Sequence, residues 1–348
     1  MRARPIRLLP AIAAISGLGI ALAPAAGACG GLVGENGTIQ LERTTTLAAY
    51  HDGVERYVTS FQFTGEGKEV GSIVPLPDVP SKVERGGDWT LQRLEREVAP
   101  PAGEAFDGAT NAAGAASAQV ILTAKIDALD ITILRGGGDE VGRWASENGF
   151  LLTPDAPEVL DYYASRSPIF MAAKFDASRA ATLGQRGGDG TPIMLTIPTD
   201  APWVPLRILG LGLDGGRQVQ ADVFLLTDER PALLAGGRGL SIGRSERASA
   251  SLLDDLRTDV GMTWVPSSMW FTHLPLSTSA KSLDYDLAVS VRSGTVPSLV
   301  DAGVSAPAAR PVLPKDSGID WWPLVVGTGA GVMTLVLVGL RPRRELVA

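Results

Sequence analysis

Two uncharged apolar segments, one near each end, constrain this chain of 348 residues more than anything between them. At the N-terminus Arg2, Arg4 and Arg7 precede an apolar stretch from Leu8 to Leu22, which leads to the small-residue triplet Ala26-Gly27-Ala28. Positive charge, a short greasy segment and an A-x-A site in that order read as a secretory signal peptide over residues 1–28, with the mature chain beginning at Cys29. A cysteine at that position also suits lipoprotein processing and acylation, although the third residue upstream is Ala26 where such sites carry Leu.

Near the other end, Pro323 to Leu340 is an uncharged run rich in Leu, Val and Gly, flanked by Trp321-Trp322 before it and Arg341-Pro342-Arg343-Arg344 after it. About 20 residues at ~1.5 Å each cross ~30 Å of hydrocarbon. The tryptophans belong at interface depth and the arginines on the cytoplasmic side. The expectation is a single-pass protein of the plasma membrane with its N-terminal domain outside. Its parts are a signal peptide (1–28), an extracytoplasmic domain (29–293), a Pro/Ala-rich stalk (294–318), a transmembrane helix (319–340) and a basic cytoplasmic tail (341–348). Gly327 and Gly331 form a G-x-x-x-G pair through which two spans can approach. Leu313-Pro314-Lys315-Asp316-Ser317-Gly318 is similar to a wall-sorting signal but has one residue too many and no Thr before Gly, so retention in the membrane is preferred.

Composition excludes several classes of function. The chain has one cysteine, Cys29, and two histidines, His51 and His273. Structural zinc sites, iron–sulfur clusters and disulfide scaffolds need more ligands than that. Residues 1–28 hold three arginines, and 341–348 hold three arginines and one glutamate. The stretch between them therefore keeps 25 basic and 37 acidic groups, a balance of −12. Such a surface repels nucleic acid.

Between the two ends the chain mixes both periodicities. Thr44–Tyr50 and Val54–Phe63 flank His51-Asp52-Gly53 and read as a hairpin. Strands are expected at Val70–Pro75, Gln119–Ala124, Leu129–Arg135, Ile169–Phe175, Ile193–Ile197, Val204–Leu209 and Val219–Thr227, and at Ser282–Arg292. In the last of these, Leu283, Tyr285, Leu287, Val289 and Val291 share one face, while Asp284, Asp286 and Ser290 share a solvated one. Helices are expected at Trp89–Val98 capped by Asp88, at Glu140–Asn148 capped by Asp139 and stopped at Gly149, and at Pro157–Ala164 and Ser249–Thr258. Most strand spacings are too short for crossover helices. The fold class is therefore α+β, a mainly antiparallel sheet with a few short helices, plus the C-terminal transmembrane helix. Ala99–Ala118 is rich in Ala and Gly and reads as a surface loop.

Several stretches resemble one bacterial family. Ala28-Cys29-Gly30-Gly31, Tyr57–Phe63 leading to Ile73-Val74-Pro75-Leu76-Pro77, and Ile131-Thr132-Ile133-Leu134 followed by Trp144 and Asn148-Gly149-Phe150 are similar to domain of unknown function 2330. Tyr162-Tyr163 before Ile169–Phe175, and Pro205-Leu206-Arg207, extend the likeness, which spans roughly residues 28–230. The resemblance implies a secreted or membrane-anchored bacterial protein of undetermined activity and brings no functional residues with it.

Motif searches assign no catalytic, cofactor-binding or metal-binding residue. Gly210-Leu211-Gly212-Leu213-Asp214-Gly215 matches G-x-G-x-x-G, but Gly216-Arg217-Gln218 and a strand follow where a dinucleotide site needs a helix, so a hairpin turn is expected. Gly239-Leu240-Ser241-Ile242-Gly243 matches G-x-S-x-G, with Asp254, Asp255, Asp259 and His273 in the order of a serine hydrolase. Gly136-Gly137-Gly138-Asp139 opens a helix at a place suited to an anion, but the Asp139 carboxylate is expected on that spot. Asp284 and Asp286, with Asp254-Asp255, are the nearest approach to a carboxylate cluster, but calcium needs about six oxygens presented by a shaped loop, so a solvated strand face is expected. His51 and His273 show no partners in the sequence. The reading is an envelope ectodomain that binds a protein, peptide or envelope component, with the lipid bilayer as the partner of its C-terminal helix. The alternatives are an extracytoplasmic serine hydrolase using Ser241, and a structural subunit of a membrane complex.

Overall fold

A computed structural model describes residues 26–27, 31–34, 43–60, 70–99, 118–185, 191–234, 239–291 and 295–304. The segments read from the sequence as a signal peptide, up to Ala25 and at Ala28, most of the expected stalk, and the whole of the expected transmembrane helix and basic tail lie outside these residues. Among the described residues no helix is long and apolar enough to cross a membrane.

The strands in chain order are β1 (Ala26–Gly27), β2 (Gly31–Gly34), β3 (Arg43–His51), β4 (Val54–Thr59), β5 (Val70–Pro75), β6 (Lys82–Arg85), β7 (Gln119–Ile126) and β8 (Leu129–Arg135). They continue with β9 (Ile169–Phe175), β10 (Ile193–Pro198), β11 (Trp203–Val204), β12 (Gln218–Thr227), β13 (Ala232–Leu233), β14 (Arg244–Arg247), β15 (Trp270–Ser279) and β16 (Leu287–Ser290). The α-helices are α1 (Thr90–Val98), α2 (Gly138–Glu147), α3 (Ala156–Ala164), α4 (Ala177–Leu183) and α5 (Ala250–Thr258).

One large sheet runs β14-β15-β12-β3-β4-β10-β6, with β1 beside β3, and a second runs β2-β5-β9-β8-β7. A small third sheet is β11-β16-β13. Pairing is antiparallel except for β1 with β3 and β12 with β3. The β3–β4 hairpin closes with Asp52 and Gly53 at φ 51° and 76°, the positive pair that a two-residue turn matching strand twist demands.

The two large sheets face each other across the main core. Ala48, Tyr57, Leu195, Val223 and Leu274 come from the first, and Ile131, Ile133, Met171 and Ala173 from the second. Each sheet is covered by helices on its other face. Leu134, Phe170 and Ala172 pack on Val141, Trp144, Leu160 and Tyr163 of α2 and α3. Leu47, Val58, Phe224 and Phe271 pack on Leu91 and Leu94 of α1 and Leu252 and Leu256 of α5. The order of layers is therefore helix, sheet, sheet, helix. Because both faces are buried, a strand such as Ile169–Phe175 is buried at every position, Lys174 included. Lys174 reaches the carbonyl of Asn148 at 3.2 Å and lies over the Phe150 ring.

The structure corrects several expected elements. Of the expected Val204–Leu209 strand only Val204 is extended, as the second residue of β11, and Arg207–Gly210 is a 3-10 turn. The expected Ser282–Arg292 strand shrinks to Leu287–Ser290, with Ala280–Ser282 a short 3-10 turn. Asp88 caps nothing: Trp89 stands at the N-cap of α1 without a side-chain bond. At α2 the capping carboxylate is Glu140, which reaches back to the Gly137 amide, and not Asp139. Gly149 does stop α2 at φ 83°. Ser249 does cap α5, accepting from the Leu252 amide at 3.1 Å. The Gly210–Gly215 segment joins a 3-10 turn to β12. It is not a hairpin, because β11 pairs with β16.

Candidate functional site

Ionisable side chains buried by the fold mark where chemistry or locking is concentrated, because burial penalises charge. Two places stand out.

The first is Asp286, expected on a solvated face and found fully buried, at 1% exposure. It sits just before β16, where the third sheet meets α3. Tyr162, Tyr163 and Arg166 come from α3 and the residues just after it, with Tyr162 and Arg166 four residues apart on one face. Asp286 Oδ1 accepts from Tyr163 Oη at 2.7 Å and from the Leu206 and Arg207 amides at 2.7 and 3.0 Å. Its Oδ2 accepts from Tyr162 Oη at 3.2 Å and from the Arg166 guanidinium. Burial raises the Asp286 pKa, and Arg166, Tyr163 and the two amides oppose that rise. Burial, and then the Asp286 charge, likewise raise the Tyr163 and Tyr162 hydroxyls.

Aromatic stacking completes the cluster. Tyr163 stacks on Trp203 at 5.8 Å, Arg166 lies 4.5 Å over Trp203, and Arg207 lies 4.2 Å over Tyr162. The same groups hold residues 301–303. Arg166 Nη2 donates to the Asp301 carbonyl at 2.6 Å and the Asp286 amide to the Ala302 carbonyl at 2.9 Å. Gly303, at φ 69°, lies so close to Tyr162 that a Cβ there would collide with the phenol. With five donors on its two oxygens, Asp286 is a lock and has no free lone pair for proton transfer.

The second is Glu55 on β4, 0% exposed, with neither carboxylate oxygen hydrogen-bonded. Burial alone lifts its pKa from 4.5 to about 8.

The residues singled out from sequence do not assemble into a hydrolase. Ser241 is exposed and its Oγ reaches only the Pro275 carbonyl, at 3.5 Å. The segment around it bridges the edge of β15 at Leu240–Leu276 and continues into β14, so the strand-to-helix elbow that would present a nucleophile is missing. His273 does have a partner: its Nε2 lies 2.8 Å from Asp222 Oδ1, and its ring stacks on Phe224. The three expected acids are dispersed. Asp254 pairs with Arg257, Asp255 pairs with Arg93 at 2.8 Å, and Asp259 accepts from the Asp88 and Trp89 amides and Thr90 Oγ1. Asp284 is exposed, two residues from the buried Asp286.

His51 also has partners, with Nδ1 2.6 Å from Asp228 and Nε2 3.3 Å from Asp52. One ligand atom from each lies within 4.8 Å of the others. Each ring nitrogen faces a different carboxylate, however, which suits hydrogen bonding, and an imidazole binds one ion through one nitrogen. A groove of about 360 Å³ between α2 and α3 is floored by Leu152 and Leu160 and rimmed by Asp139 and Arg143. Gly138 permits that close helix contact, since a Cβ there would lie 2.7 Å from the Asp161 amide nitrogen.

Neither Asp286 nor Glu55 stands out as a buried group in the sequence. A carboxylate in an alternating run reads as solvent-facing unless the covering layer is known, and Arg166 lies 120 positions away.

The fold and its buried clusters define a four-layer α+β domain without an assembled catalytic set among the described residues. The chain belongs to a bacterial family, DUF2330, uncharacterized proteins conserved in bacteria, whose model matches residues 23–232. No curated protein matches the sequence. Among solved structures, that of baculovirus P35 is 10% identical with a TM-score of 0.33, covering 74% of this chain and 92% of its own. The caspase-8/P35 complex gives 9% identity and a TM-score of 0.33, covering 71% of this chain and 90% of its own. A mutated baculovirus P35 after caspase cleavage gives 10% and 0.34, covering 72% and 93%. Likeness at this level carries no argument about this chain.

Proposed function

We propose that this protein is a membrane-tethered interaction domain of the bacterial envelope, with its folded body outside the plasma membrane and its C-terminus inside. The observation that carries the reading is the lock around Asp286. Residues 298–304, which lead directly toward the apolar run at 323–340, are held to α3 and β16 through Arg166, Tyr162 and Asp286. Residues 298–304, inside the stretch expected as a stalk (294–318), are thus fixed to the body, which supports a reading in which a tether acts on a firm attachment point. The order of signal peptide, stalk and uncharged span with a basic tail supports the same arrangement. Binding is favoured over hydrolysis because Asp254, Asp255 and Asp259 are each spent on separate structural bonds.

The test is protease added outside cells whose outer layers have been opened, read with antibodies to the body and to a C-terminal tag. Digestion of the body with survival of the tag is expected, as is release of the body when residues 319–348 are deleted. A body that resists external protease while remaining degradable after lysis overturns the proposal.

A further inference from the structure

Most large apolar side chains that reach the surface among the described residues do so one at a time along the chain, as Trp89, Leu151, Leu183, Ile242 and Val260 do. Scattered exposure of that kind is ordinary for a folded surface. Val120 and Ile121 form an adjacent pair, each less exposed than the residues that follow here. Residues 295–304 differ from all of these. Val296, Leu299 and Val300 are 74%, 46% and 65% exposed within five consecutive positions, and Asp301 is the single charge in the segment.

Their neighbours in the chain turn the other way: Pro297 and Ala302 are buried, and Val304 packs on the main core. The backbone that carries the patch is fixed. The Asp286 amide donates to the Ala302 carbonyl at 2.9 Å and Arg166 to the Asp301 carbonyl at 2.6 Å. The Asp301 carboxylate accepts from the Ser298 amide at 2.6 Å and the Ser298 hydroxyl at 2.8 Å. Side chains held this way meet a partner without further ordering of the chain.

Their position along the chain identifies the partner. Residues 305–322 separate the patch from the uncharged run at 323–340, and at ~3.3–3.6 Å per residue they cannot place residue 323 more than about 65 Å from residue 304. A link of that length keeps the patch at an effective concentration on the order of millimolar beside whatever holds the run, so a contact too weak to recruit a free protein still forms. Charge argues in the same direction. The stretch between the basic ends carries a balance of −12, which anionic headgroups repel, and a nearly uncharged apolar face is where such a body can meet lipid.

We propose that Val296, Leu299 and Val300 insert into the headgroup region of the bilayer that holds the apolar run, seating the body on the membrane through this face. The inference rests on the membrane-tethered reading and adds to it the surface that touches lipid.

Full-length protein reconstituted in vesicles of phosphatidylcholine and phosphatidylglycerol tests it. In a Cys29→Ser background an environment-sensitive fluorophore is attached at Val300→Cys or, as a control on α2, at Ser146→Cys, with spin-labelled lipid as the quencher. The label at 300 should shift to shorter wavelength and lose most of its emission to the quencher, and the label at 146 should do neither. Val296→Glu/Leu299→Glu should abolish both effects at 300 with circular dichroism unchanged, since both side chains are exposed. Protein that fails to float with the vesicles refutes the tethered reading, and this inference with it. Protein that floats while its label at 300 is quenched no more than the one at 146 overturns this inference alone. So does quenching that survives the two glutamates, or a residue 300 shielded from lipid because Val300→Cys cross-links to a second copy.

Discussion

Replacing Glu55 by glutamine tests the physics of this core most directly. The Glu55 carboxyl is fully buried, with no hydrogen-bond partner for either oxygen, and burial raises its pKa from 4.5 to about 8. A carboxyl whose pKa is raised by folding is held neutral in the native state and ionises more readily once unfolded. Its linkage therefore leaves stability intact below pH ~4.5, removes it progressively as pH rises through the folded value near 8, and adds nothing further above that. At ~1.36 kcal/mol per pH unit, the loss across that window is about 5 kcal/mol, a large share of a domain's ~5–15 kcal/mol.

A glutamine side chain is neutral at every pH and nearly the same shape as the glutamate it replaces, so the Glu55→Gln variant should lose this dependence. The assay is urea unfolding of the full-length protein in mild detergent, followed by tryptophan fluorescence at about pH 5 and about pH 8.5. Wild type should lose several kcal/mol between the two, and Glu55→Gln markedly less, making the variant the more stable protein at the higher pH. Equal losses in both proteins refute the reasoning, because they place the titrating group elsewhere.

Asp286→Asn leaves the half-buried Arg166 without its counter-charge and should cost up to about 3 kcal/mol, the low end for a buried pair, read by denaturant unfolding, with earlier proteolytic cutting near residues 298–304 as the local signature. Ser249→Ala removes the cap on α5 and should cost about 1 kcal/mol in the same assay, while Ser249→Asp should retain most of the stability. Ser241→Ala should change neither the unfolding midpoint nor the reactivity toward an activated phosphonate, since wild type itself should not be labelled. A labelled wild type whose label vanishes in the variant would restore the hydrolase.

Much of the local structure is legible along the chain because its causes are local. The Val70–Pro75, Leu129–Arg135 and Ile169–Phe175 strands lie where β-branched and apolar residues cluster between turn formers, and the Asp52-Gly53 turn fixes its hairpin by backbone preference alone. β15 escapes a reading of the sequence because Pro275 and His273 interrupt a run that otherwise alternates. The structure tolerates that proline opposite the irregular stretch between Leu240 and Arg244, where the neighbouring ladder is already broken.

The α+β class with mostly antiparallel pairing, the short helices and their stops, and the acidic balance of the body follow from residue types and spacings, which act over a few positions at a time. The four-layer stacking, the burial of Asp286 and Glu55 and the pairing of His273 with Asp222 depend on which distant segments cover one another. A side chain's environment belongs to the neighbours that folding brings to it, and those neighbours stand 120 positions away between Arg166 and Asp286 and 177 between His51 and Asp228.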